Sequence, residues 1–187
     1  LGRTLADCFH AGMATASLAQ ITRYCDRLLR TAFFTDYDGA HNGLQVQNRG
    51  GVRRLAAAVD ASPATVRLAV EARADLLLVH HGLFWSPRHP WTGRQYDLLR
   101  TLLENDLAVY SSHLPLDAHP KLGNNAQLYA ALDLTGRLGK ANRKQSGKPR
   151  ARLRPFFEYK GQPIGFEVRT RITRDELVQR LEHALGG

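Results

Sequence analysis

ADLLLVHHGLFW, residues 74–85, runs from apolar chain into two adjacent histidines and a glycine. Leu76 to Val79 carry no polar side chain, so the stretch reads as a strand buried on both faces, of the kind a parallel sheet places under helices. Neighbouring strand residues point to opposite faces, so His80 and His81 can approach one site together only where the strand gives way to a loop. Gly82 marks that place.

The flanking chain fits the same pattern. Ser62 and Pro63 match an N-cap and a first helical position, opening a helix over about 63–73. Before it, GLQVQ reads as a short strand and RRLAAAVD as a more apolar one ending at Asp60. Leu18, Ile21, Cys25, Leu28 and Leu29 recur at helical spacing after Ser17, which predicts an amphipathic helix over 17–30. Downstream, Tyr96, Leu98, Leu99, Leu102 and Leu103 predict a helix over 94–105, and LAVYSS at 107–112 the next strand. A loop, HLPLDAHPKLGNN, leads into the helix NAQLYAALDL, which Asn124 and Asn125 are expected to cap. Strand, helix and strand recur, so the fold class is α/β: a sheet with helices on both faces.

The character changes after Leu134. Residues 136–154 hold eight of the 26 Lys and Arg with no acidic residue, and they lack periodicity, as a linker does. PFFEYK and PIGFEVRT then read as a strand pair about a Gly161–Gln162 turn, with Pro163 weakening the second strand. Thr173 and Glu176 form a capping box before Leu177, Val178 and Leu181. Four segments result: 1–12 as an extension ahead of Met13, an α/β domain at 13–135, the basic linker at 136–154, and the incomplete start of a second α/β unit at 155–187.

Bulk properties exclude several classes. The 187 residues, 43% hydrophobic, suffice for one buried domain and part of another. A net charge of +9 favours phosphate-bearing partners in general. The basic segment that supplies most of the excess has no interleaved aromatics, so a solvated loop is favoured over a nucleic-acid interface. Cys8 and Cys25 show neither metal-ligand nor disulfide spacing, which points to a reducing, cytoplasmic setting. No apolar run approaches the roughly 20 residues of a membrane helix, and no signal-peptide pattern is present.

The chemistry concentrates in one window. His80, His81, His89, His113 and His119 fall within 40 residues, and His113 and His119 flank Asp117. Parallel strands present their C-terminal ends on one side of a sheet, where open α/β folds build their sites. Imidazole and carboxylate suit zinc, iron, manganese or nickel, and a carboxylate can bridge two ions. Two ions could activate water and clamp a phosphate or carbonyl, giving hydrolysis without a protein nucleophile. A lone histidine at a strand end is more often a hydrogen-bonding residue, and spacing alone leaves both readings open. Asp36 and Asp38 read as turn formers or as groups behind a site. His113 and His119 read as residues that orient ligands or as polar loop residues. Phe84 and Trp85 read as packing or as the wall of a pocket for a planar base, and Asn42 with Gly43 as a turn.

NGLQV at 42–46, AVDASPATVRLAVEARADLLLVHHGLFW at 58–85 and YSSHLPLDAHPKLGNNAQLYAAL at 110–132 closely resemble the Nif-like dinuclear-metal-centre family. The likeness is strongest to its bacterial YbgI-type members, also called GTP cyclohydrolase I type 2 homologues, and covers most of residues 17–135 in the same order. The resemblance implies an α/β fold, a hexameric ring of full-length subunits, two divalent ions per subunit, and His80, His81 and Asp117 as metal ligands. Members complete the centre with a histidine and a glutamate from a GH-x-x-TE-like segment near the C-terminus. This chain has no such segment, and His183 in RLEHALGG does not match it. The resemblance therefore implies an N-terminal fragment with an incomplete site that is catalytically poor alone. The implied activity is metal-dependent hydrolysis of a nucleotide-like or phosphorylated small molecule. The family name points to GTP, although no residue here reads a guanine. The alternative is a non-catalytic metal-binding or scaffold oligomer.

Overall fold

The computed structural model describes residues 15–85, 90–134 and 153–186. The expected extension at 1–12, Met13, Cys8, His89 and the basic segment up to residue 152 lie outside the described residues. The chain divides into two compact units, Leu1–His113 and Leu114–Gly187.

The first unit opens with β1 (Ala16–Ser17) and α1 (Leu18–Leu29), followed by a 3-10 turn at Thr31–Phe33. Then come β2 (Gly43–Val46), β3 (Gly51–Val52), β4 (Leu55–Asp60), α2 (Pro63–Glu71), β5 (Leu76–His81), α3 (Arg94–Glu104) and β6 (Ala108–Ser111). Four strands form one sheet in the order β2-β6-β5-β4. β4, β5 and β6 run parallel, and β2 pairs antiparallel with β6. The α/β reading of the sequence is borne out, with helices on both faces. A separate two-stranded pairing of β1 with β3 carried no signal in the sequence.

Alternation along the strands explains how both faces are covered. Leu77 and Val79 of β5 and Val109 of β6 pack with Val66 and Ala69 of α2 and Leu102 of α3. Leu76 and Leu78 of β5, with Ala108 and Tyr110 of β6, pack instead with Leu18, Ile21, Cys25 and Leu29 of α1. Each fully buried leucine or valine contributes about 1.5–3 kcal/mol, so these layers fix the sheet and thereby its strand ends. Ser62 caps α2 as expected, its hydroxyl accepting the Thr65 N–H at 3.2 Å.

The second unit holds α4 (Leu114–Asp117), α5 (Asn124–Leu132), the antiparallel pair β7 (Arg154–Tyr159) and β8 (Gln162–Glu167), and α6 (Arg174–Leu185). Three details differ from the sequence reading. The hairpin turn is Lys160–Gly161, with φ of 48° and 75°, because a tight hairpin needs positive φ at both central residues. Gly123, not an asparagine, is the N-cap of α5. Thr173 caps α6 through the Glu176 N–H at 3.2 Å, but the Glu176 carboxylate is drawn to Arg180 at 2.8 Å.

Arg180 is 4% exposed, and its guanidinium also donates to the carbonyls of Leu132 and Asp133 at the end of α5. A buried cation there satisfies orphan helix carbonyls. Replacing Arg180 with Met is expected to cost about 2 kcal/mol, the loss of charge-assisted hydrogen bonds. Chemical denaturation followed by hydrogen exchange at α5 checks this; unchanged protection there would refute it.

Candidate metal centre

The C-terminal ends of β4, β5 and β6 meet at one edge of the sheet. β5 runs through His81, so both histidines are its last two residues, as the loss of strand geometry at Gly82 requires. Register sets Asp60, the last residue of β4, opposite His81. The backbone is clamped on both sides: Ala61 N–H donates to His81 O at 2.9 Å, and Ser112 N–H donates to Val79 O at 3.0 Å.

Three imidazoles converge. The ring centroids of His80 and His81 lie 4.5 Å apart, those of His80 and His113 5.0 Å, and those of His81 and His113 5.6 Å. One ring nitrogen from each lies within 4.8 Å of the others, so the group could hold a metal ion.

Each ring is also oriented. His80 Nδ1 lies 2.9 Å from the Ser112 carbonyl oxygen. His81 Nδ1 lies 2.7 Å from Asp60 Oδ1, and His113 Nδ1 lies 2.9 Å from Asp36 Oδ1. A carbonyl or carboxylate oxygen only accepts, so Nδ1 carries the proton in all three rings, and Nε2 carries the lone pair of the neutral form. Metal-ligating histidines commonly have such a carboxylate or carbonyl behind them. The donor set fits a borderline divalent ion such as zinc, iron or nickel.

Asp36 is buried with its partners around it. Its oxygens accept from the Tyr37 N–H at 2.7 Å and from Asn42 Nδ2 at 2.7 Å. Asn42 Oδ1 in turn accepts the His113 N–H at 2.7 Å. Burial pushes the Asp36 carboxyl up, but the hydrogen bonds from His113, Asn42 and Tyr37 outweigh it and hold it at about 2. Turn chemistry at Asp36 and Asn42 therefore serves the imidazole of His113, 77 residues from Asp36 along the chain. Trp85 closes one side: its ring meets those of His81 and His113 edge-on, at 5.2 and 4.7 Å. Its Nε1–H donates to the Gly82 carbonyl at 2.9 Å. A Cβ on Gly82 would lie 2.3 Å from Gln45 Nε2, and the Gln45 Oε1 accepts the Leu83 N–H at 2.6 Å. A side chain at position 82 would push the Gln45 carboxamide aside and break its hydrogen bond to Leu83.

Asp117 and His119 lie in the second unit. Asp117 ends α4, and its carboxylate accepts from Asn124 Nδ2 at 3.1 Å. Asn125 Nδ2 reaches the carbonyls of Asp117 and Ile164, both at 3.2 Å. The two asparagines thus hold the Asp117 turn and do not cap α5. His119 Nδ1 accepts the N–H groups of Lys121 and Leu122, at 3.2 and 3.0 Å, and closes its own loop. Sequence reasoning did not single out Asp60. The available signal was an acidic residue ending the strand before the His-His strand in a parallel unit, which sets the two strand ends side by side.

A family model described as Duf34/NIF3 (NGG1p interacting factor 3) matches residues 16–187. A GTP cyclohydrolase 1 type 2 homolog from Deinococcus radiodurans is 38% identical over 162 residues, covering 87% of this chain and 55% of that protein. Among solved structures, the protein TTHA1606 from Thermus thermophilus is 42% identical with a TM-score of 0.60, over 63% of this chain and 48% of that one. The protein ybgI, titled as of unknown function, is 33% identical with a TM-score of 0.73, over 91% and 61%. The chain spans about half the length of the curated relatives it matches.

Proposed function

Because the chain belongs to the Duf34/NIF3 family, we propose that His80, His81 and His113 form the nitrogen-rich part of a divalent-metal centre. Asp117 is proposed as a further ligand, and two ions per full-length subunit as its complement. The reaction proposed is metal-dependent hydrolysis of a nucleotide-like or phosphorylated small molecule. One observation carries the reading: three imidazoles share a site, and each has its Nδ1 tied to an oxygen. When bound, a divalent ion would supply Lewis-acid polarisation of a phosphate or carbonyl oxygen. Asp60 and Asp36 keep His81 and His113 in one tautomer and one orientation, and Trp85 limits access of water to two of the rings. No helix of the described residues is long and apolar enough to cross a membrane. A hexameric ring and a cytoplasmic setting belong to the same proposal, and native mass spectrometry tests the first.

A second reading, a non-catalytic metal-binding or scaffold oligomer, is favoured by one feature. Asp36 and Asp60 both hold imidazoles, so neither is placed as a general base. Elemental mass spectrometry of the purified chain is expected to find near-stoichiometric metal. Changing His80, His81 and His113 together to Ala is expected to remove it, and equal metal in both would overturn the centre. An Asp117→Ala variant measured alongside reports whether that carboxylate takes part. A panel of phosphomonoesters and nucleotides with added metal, run on the full-length protein because the chain alone is expected to turn over poorly, separates the two readings, since a pure binder leaves every substrate intact.

A further inference from the structure

A cleft of about 690 Å³ opens where α1 ends, the 3-10 turn follows and the chain enters β2. That volume lies within the range of sites for small molecules and cofactors. Its lining brings together groups of different chemistry. Arg27 and Arg30 supply two guanidinium groups, Phe33 an exposed ring, His41 an imidazole and Asp26 a carboxylate. The Arg30 guanidinium lies 4.3 Å from the Phe33 ring centroid, over its face. His41 stands edge-on to Phe84, 6.3 Å between centroids.

The cleft is built from fixed parts. The Asp26 carboxylate accepts the Tyr110 hydroxyl at 2.8 Å, and burial above all, with Asp26 beside it, pushes that hydroxyl far above its ordinary range. Tyr110 therefore stays a donor and pins the last turn of α1 to β6. Asn42, which also lines the cleft, accepts the His113 N–H and donates to Asp36. The cleft and the three-histidine centre thus share a residue.

Two guanidinium groups suit a phosphate, which they bind in bidentate fashion. The Phe33 ring is 52% exposed with the Arg30 guanidinium over one face, so the other face suits a stacked planar base. A carboxylate beside them suits a ribose hydroxyl. We propose that this cleft binds a nucleoside monophosphate, with its phosphate on Arg27 and Arg30 and its base on the Phe33 ring. The proposal deepens the hydrolase reading, because it rests on that reading for taking the occupant as substrate, while the binding itself needs no metal.

Calorimetric titration of the full chain, stripped of metal with EDTA, tests it with GMP and AMP as probes. At least one nucleotide is expected to bind, with guanosine and ribose 5-phosphate each at least about 10-fold weaker, because each lacks one of the two recognised groups. Raising salt from low to moderate concentration is expected to weaken binding. Arg27→Gln combined with Arg30→Gln is expected to cost about 10-fold or more, and Phe33→Leu a smaller factor. All three side chains are exposed, so the fold should survive, and circular dichroism checks that it does. Failure of both nucleotides to bind, or parental affinity in the double arginine variant, would overturn the proposal. The variant with His80, His81 and His113 changed to Ala is expected to keep its nucleotide affinity. Metal loss without nucleotide loss in that variant, and the reverse in the arginine variant, keeps the failure of one reading distinct from that of the other.

Discussion

Replacing Gly123 with Ala is expected to destabilise the second unit by more than about 3 kcal/mol, above the ordinary cost of overpacking. An added Cβ would lie 2.2 Å from the Leu116 carbonyl oxygen, 2.7 Å from that of His119 and 2.9 Å from that of Asp117. All three are backbone atoms, so no side chain can swing aside. The φ of Gly123 is −67°, which alanine adopts freely, so the whole cost is steric. Gly161 provides the contrast. It has a φ of 75° with open space around its Cβ position, and Gly161→Ala should cost only about 1 kcal/mol, for the left-handed conformation. Hydrogen exchange resolved by segment is the measurement. Protection over α4 and α5 should collapse in Gly123→Ala while β4, β5 and β6 keep theirs. Native protection across α5 would mean that the turn carrying Asp117 is built differently.

Asp36→Ala is the second change with a large expected effect. It strands the Asn42 side-chain amide, the Tyr37 N–H and His113 Nδ1 in a buried place, at about 1–3 kcal/mol for each unsatisfied group before relaxation. A net loss of about 3 kcal/mol is expected. Asp36→Asn keeps the shape but removes the charge that fixes His113, and metal affinity should fall about 10–100-fold, as for other partners behind a metal ligand. Asp60→Asn acts on His81 in the same way, yet its carboxylate is 61% exposed, so its effect on stability should be within about 0.5 kcal/mol. Competition with a chromophoric chelator reads the affinities, and chemical denaturation reads the stabilities. If Asp36→Asn binds metal as the parent does, His113 is not held through its carboxylate.

Much of the site was legible because its first elements are local. The apolar run before His80 and His81 marks a buried strand by composition alone, and the Ser-Pro pair marks the helix before it. His80 and His81 end β5 and His113 follows β6, so their meeting at one sheet edge follows from parallel order. The stretch containing NGLQV was legible as part of the family likeness, but the work of its asparagine was not. Asn42 joins Asp36 to His113, and nothing in the spacing of 36, 42 and 113 encodes that. The caps show the same limit at short range: Glu176 satisfies the pattern of a capping box, yet the buried Arg180 competes for its carboxylate and wins.

By itself the sequence determined the α/β class, the family, the strand that ends in two histidines and the loop that carries His113 and Asp117. The family rests on the likeness of these stretches to known members, and the rest on periodicity or residue order, which neighbouring residues settle among themselves. Only the tertiary structure decided which oxygen stands behind each imidazole. It set Asp60 opposite His81 through strand register, laid the Ser112 carbonyl against His80, and buried Asp36 beneath His113. These pairings join residues 21 to 77 positions apart. They form because packing of α1, α2 and α3 on the two faces fixes the sheet, and a fixed sheet brings these oxygens within hydrogen-bonding reach of the imidazoles.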